Sequence, residues 1–199
     1  TVAPEPPRPM ATWPRVVAFT GEEDSGLSAG RTYTHLLDFP ANGNPATVNG
    51  VDFLAAGTNG SAFGYGWQTT GIAPTLTWND APNDSTRGGL DRLLWDFQYG
   101  STNFTLNLTG LTPGRTYEAR LYFRFFGALV ADSPRDAVFS FAAGATSLGS
   151  VAHDLDTLAR SRVECRYTAD ASGALALNVV SLNSGSTCHL YGFSNEEVN

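Results

Sequence analysis

From Asn103 to Thr109 the side chains alternate without a break: Phe104, Leu106 and Leu108 fall on one side, and Asn103, Thr105, Asn107 and Thr109 on the other. A period of two is the signature of a strand with one buried and one wet face, and no helix can accommodate it. A turn signal, Leu111-Thr112-Pro113-Gly114, follows. A second alternating run, Thr116 to Phe125, then places Tyr117, Ala119, Leu121, Phe123 and Phe125 on one face. These two runs are expected to pair across the Pro-Gly turn, to form the centre of a sheet, and to supply its core.

The rest of the chain repeats the theme in shorter pieces. Strands are expected at Val16–Phe19, Tyr33–Phe39, Thr75–Trp78, Ala137–Phe141, Ser147–Val151, Arg162–Tyr167, Leu175–Val180 and His189–Phe193. Ala46 to Phe53 reads as a tight hairpin, because Asn49-Gly50 supplies the positive φ values of a two-residue turn. The Gly-rich stretch Gly57–Gly71 reads as a loop with one edge strand. Leu90, Leu93, Leu94 and Phe97 have helical spacing, so a turn or two of helix competes there with a buried strand. About ten strands in a chain of 199 residues point to an all-β fold, a two-sheet antiparallel β-sandwich or jelly roll. The expected organisation is an extended Pro-rich N-terminal arm over residues 1–14, followed by one sandwich domain over 15–199.

The run Leu111-Thr112-Pro113-Gly114-Arg115-Thr116-Tyr117-Glu118-Ala119-Arg120-Leu121-Tyr122-Phe123 resembles the central hairpin of galactose-binding-like jelly rolls, among them malectin-like and carbohydrate-binding modules. Leu190-Tyr191-Gly192-Phe193-Ser194-Asn195-Glu196 is similar to their final strand. The segments Phe19–Gly26, Thr32–His35 and Val48–Phe53 are similar to a group of secreted bacterial β-sandwich proteins. The shared motifs are structural turns, so the resemblance implies a fold and leaves function to particular residues.

Charge excludes some functions. All 12 basic residues are arginine, 19 residues are acidic, and the net charge is −7, which opposes binding to nucleic acid or insertion into an anionic membrane surface. His35, His153 and His189 lie far apart and match no metal spacing, and no nucleophile motif is present, so the chain reads as non-enzymatic. Cys165 and Cys188 are expected to form a disulfide near the late strands. Glu22, Glu23 and Asp24 gather carboxylates in one turn, the oxygen-ligand chemistry that calcium takes, and are the candidate calcium ligands. Tyr65 and Trp67, set among glycines, are candidates for stacking on sugar rings.

Two functions follow from these features. A chain starting at Thr1 with a polyproline-like arm reads as a processed extracellular or cell-surface protein, freed of its signal peptide. The first reading makes it a structural filament subunit, a homopolymer whose arm (Val2, Met10, Trp13) and sheet edge contact the next copy. The alternative is a non-catalytic carbohydrate-binding module whose partner is a polysaccharide.

Overall fold

The computed structural model describes residues 12–39, 44–73, 77–78, 88–124, 134–155 and 157–198. The chain opens with β1 (Arg15–Ala18) and β2 (Thr32–Asp38), then the small hairpin β3 (Thr47–Val48) and β4 (Val51–Asp52), and β5 (Leu54–Ala55). A second hairpin, β6 (Asn59–Ala62) and β7 (Tyr65–Thr70), is followed by β8 (Thr77–Trp78), the single-turn helix α1 (Gly89–Leu93) and β9 (Phe97–Tyr99). The long strands come next: β10 (Asn103–Thr109), β11 (Thr116–Arg124), β12 (Asp136–Ala143), β13 (Thr146–Asp154), β14 (Arg160–Thr168) and β15 (Leu175–Ser181). The short β16 (His189–Leu190) and β17 (Gly192–Val198) end the described chain.

Two six-stranded sheets carry the fold. The first has the order β1-β14-β11-β17-β2-β5, and the second the order β13-β12-β15-β10-β7-β6. Pairing is antiparallel except between β2 and β5, which run parallel. Tyr117, Leu121 and Phe123 of the first sheet and Phe104, Leu106 and Leu108 of the second are all buried. Phe123 meets Phe139 across the sandwich edge to face, ring centroids 5.2 Å apart. This is the expected all-β sandwich with the expected core residues.

One expectation is corrected. β10 and β11 do not pair with each other: β10 lies between β15 and β7, and β11 between β14 and β17. The turn through Pro113 and Gly114 (φ +80°) is therefore an arch from one sheet to the other. Pairing as a hairpin would put both apolar faces on one side of the same sheet, to be covered by strands from elsewhere in the chain. Arching lets the two faces bury each other.

The Gly57–Gly71 stretch is also corrected, since it forms a complete hairpin, and β7 is an interior strand of the second sheet, paired with both β6 and β10. The expected final strand divides into β16, which pairs β9, and β17, which pairs β11 and β2. The Asn49-Gly50 hairpin forms as read, with φ of 50° and 72°.

The outer face of the first sheet is covered. Residues 19–31, the β3–β4 hairpin and α1 form a cap, pinned by the Glu22 carboxylate. It accepts from the backbone N–H of Asn49 (3.0 Å) and of Leu90 (3.1 Å). Phe19 packs edge to face on Tyr122, and Leu93 of α1 fills the space where Gly192 lacks a side chain.

Candidate functional site

Where β2 and the edge strand β5 of the first sheet approach β7 and the edge strand β6 of the second, the sandwich stays open. The gap is a cleft of about 100 Å³ lined by Tyr33, His35, Asp52, Leu54, Phe63, Tyr65 and Trp67, among others. A second cavity, lined by Phe123, Cys188, His189 and Tyr191 among others, has about 10 Å³. That is room for no more than a single water.

The cleft rim is built by an unusual turn. Ala62 pairs with Tyr65, leaving Phe63 and Gly64 as the two central residues with φ of 54° and 87°. Positive φ at both central positions is the geometry that Asn-Gly serves well, as at Asn49-Gly50. Here a phenylalanine stands in the asparagine position, where a left-handed backbone costs about 1–2 kcal/mol for a residue with a Cβ. Packing does not offset that cost, because Phe63 is 97% exposed. An aromatic ring held out in water on a strained backbone is a feature that folding alone does not call for.

The walls are better packed. Tyr65 is half-buried and lies 5.7 Å from His35, ring to ring. The His35 Nε2 donates to the Gly66 carbonyl (3.0 Å) while the Thr34 hydroxyl meets its Nδ1 (3.0 Å). Burial pushes the imidazole down to about 4, offset in part by the Gly66 carbonyl, so it is neutral at physiological pH. Trp67 forms the floor: it is 7% exposed and donates Nε1–H to the Gly57 carbonyl at 3.1 Å. The Asp52 carboxylate accepts from the Thr47 hydroxyl (2.7 Å) and is the one acid lining the cleft among the described residues. A cleft with one carboxylate does not offer the paired acids on which most glycoside hydrolysis depends.

The other expected site residues fall elsewhere. The expected disulfide is corrected: Cys165 and Cys188 are separate buried thiols. Cys165 stands opposite Ala119 inside the first sheet, whereas the Cys188 backbone N–H is bound to the Ser101 carbonyl and its thiol meets the Thr102 carbonyl. Burial pushes the two thiols up to about 12 and about 11, which leaves them unreactive at neutral pH.

Glu22, Glu23 and Asp24 do not converge. Glu22 clamps the cap, Asp24 accepts from the backbone N–H groups of Thr20 and Gly21, and Glu23 is exposed. No group of three His, Cys, Asp or Glu able to hold a metal is found among the described residues. Val2 and Met10 lie outside the described residues. Trp13 packs on its own domain, with the Arg15 guanidinium 4.2 Å above its ring.

Of the two aromatics expected to form a platform, Tyr65 lines the cleft half-buried and Trp67 lies buried on its floor, while Phe63 at the rim was not among the expected site residues. The available signal was Ala62-Phe63-Gly64-Tyr65 in a stretch of alternating small and aromatic residues, an X-Gly pair placed like Asn49-Gly50.

No protein-family model and no curated protein matches the chain. Solved structures do. The extracellular domain of ANXUR2 from Arabidopsis thaliana aligns with a TM-score of 0.55 at 12% identity over 84% of this chain and 49% of its own. The plant receptor-like kinase ANX1 aligns with a TM-score of 0.55 at 12% identity over 96% of this chain and 56% of its own. The chain thus spans about half the length of these ectodomains. The CBM22-1 xylan-binding domain of Paenibacillus barcinonensis Xyn10C aligns with a TM-score of 0.44 at 12% identity, over 87% of this chain and 98% of its own. At 12% identity the property shared with the two ectodomains is the fold, a two-sheet β-sandwich of the kind that the sequence motifs resemble.

Proposed function

We propose that this chain is a non-catalytic carbohydrate-binding domain that works outside the cell and seats a sugar ring on Phe63 at the mouth of the β2–β7 cleft. The observation that carries this reading is Phe63 itself, 97% exposed at φ 54°. The C–H face of a pyranose packs on an aromatic plane, and the strained turn holds that plane ready. Tyr65 then forms the inner wall, and the Asp52 carboxylate offers an acceptor to sugar hydroxyls. The malectin-like fold supports the reading, because it is the architecture implied by the resemblance to carbohydrate-binding modules.

The filament reading draws less support. Two of its three arm anchors lie outside the described residues, and the third, Trp13, docks on its own domain. Affinity electrophoresis through gels containing neutral polysaccharides tests the proposal. Wild-type protein should be retarded by at least one of them, and Phe63→Ala should run free with an unchanged circular dichroism spectrum. Free migration of the wild type across a broad glycan panel overturns it, as does equal retardation of the variant.

A further inference from the structure

The second sheet has an outer face that no part of the described chain covers. Its strands carry only two ionisable acids or bases besides the inward-facing His153, namely Asp136 and Asp154, paired at one end. Between that end and the Phe63 turn, the strand registers lay the outward side chains in rows. One row reads Asn59, Gln68, Asn107, Ala176, Ala142, Ser147 across the six strands. The next reads Thr70, Thr105, Asn178, Ser140, Ser150, and a third Asn103, Val180, Val138, Ala152. All are exposed or half-buried. The chain has 31 charged residues by its 12 bases and 19 acids, so a face this wide without one is a compositional choice.

Resting on the carbohydrate reading above, we propose that this face is a docking surface for a neutral, hydroxyl-rich polysaccharide, which extends from the Phe63 platform across the amide and hydroxyl rows. The charge argument selects the occupant. A polyanion or polycation would find no counter-charge here, whereas an uncharged polymer can cover the face without stripping water from an ion. Asn and Gln both donate and accept, as Ser and Thr hydroxyls do, and so match sugar hydroxyls in either sense. Thr105 already donates to the Asn178 amide oxygen at 3.2 Å, so neighbouring members of one row hold each other in place.

A protein partner fits less well. Stable protein interfaces centre on buried Trp, Tyr or Arg anchors, and these rows contain none. Their apolar members are small or aliphatic, with Val180 39% exposed and Leu182, just beyond, 59% exposed. The turn that bears Phe63 joins the edge strand β6 to its neighbour β7, so cleft and face are continuous. Along β10 the face runs roughly 20 Å, longer than a single sugar.

The test uses isosteric charge. Gln68→Glu/Asn178→Asp changes two outward atoms from nitrogen to oxygen and leaves the cleft untouched. Binding of a neutral β-glucan and of its oligosaccharides, from two sugars upward, is measured by titration calorimetry for wild type, this double variant and Thr70→Lys. The expected result is that wild-type affinity climbs with chain length, and that either charged variant binds the polymer about tenfold more weakly while holding short oligosaccharides as the wild type does. An unchanged length dependence in both variants overturns the face but leaves the Phe63 cleft standing. Loss in the acidic variant with gain in Thr70→Lys overturns neutrality of the ligand. Self-association of the wild type that the same substitutions abolish, read by sedimentation velocity, assigns the face to a second copy instead. Failure of the wild type to bind any glycan overturns the cleft reading itself.

Discussion

The two outer faces of the sandwich solve opposite problems. On the first sheet, Arg15, Glu118, Arg120, Arg162, Glu164 and Glu196 stand side by side, with Arg120, Arg162, Glu164 and Glu196 buried. Glu164, 1% exposed, receives Arg15 at 2.6 Å and Arg162 at 2.9 Å, while Arg120 reaches Glu196 at 2.7 Å and Glu118 at 2.6 Å. The Arg162 guanidinium also donates to the Asp24 carbonyl, which ties the charged lattice to the cap. On the second sheet the corresponding positions are amides, hydroxyls and small side chains, and no described segment lies over them. Charge is thus concentrated where the chain covers itself and withdrawn where it does not. Buried ions must be paired, and they fix one partner and one register; a neutral face makes no such demand and stays available.

Breaking the lattice should give the largest effect. Glu164→Gln leaves its arginines without their shared carboxylate in a buried setting, and about 3–5 kcal/mol of stability should be lost in denaturant titration. A loss below about 1 kcal/mol would mean that Phe19, Leu27 and Leu93 hold the cap without help from the ions.

Asp38 probes the same covered face by pH. Burial pushes its carboxyl up to about 8, opposed by the Ala46 N–H and Arg92 and reinforced by Asp96. The folded state therefore keeps a proton that the unfolded chain releases near the ordinary carboxylate range. Stability from this group is complete below that range and is lost as pH rises through about 8. Wild-type melting temperature should consequently fall relative to Asp38→Asn as pH is raised from 4 to 8. Parallel curves would show that Asp38 is ionised in the folded protein.

Phe63→Gly sharpens the contrast between folding and function. Relief of the left-handed backbone should raise stability by about 1 kcal/mol while glycan retention disappears. A destabilised variant would mean that the ring packs in solution. The smallest effect belongs to the bare face: Gln68→Glu/Asn178→Asp should alter stability by less than about 0.5 kcal/mol. A larger loss, read from the same melts, would show that the neutral rows serve the fold.

Much of this was legible in the residues. The alternation of Asn103–Thr109 and Thr116–Arg124 settled which side chains face the sandwich core, because period two fixes the faces of a strand wherever it pairs, whereas the burial of Arg120 and Tyr122 on the opposite face came from the cap. Asn49-Gly50 likewise determined its hairpin, since positive φ is a local requirement. Even the neutrality of the second sheet is written in Asn103, Thr105, Asn107, Ser140 and Asn178. What the sequence left open was partnership. Nothing local distinguishes a hairpin from an arch at Pro113-Gly114, because either buries the same side chains. The separation of Cys165 from Cys188, the burial of Trp67 against Gly60 and the exposure of Phe63 four residues earlier were decided only when the sheets stacked. Contacts between residues remote in the chain depend on which strand lies next to which, and that choice is made by the whole core at once.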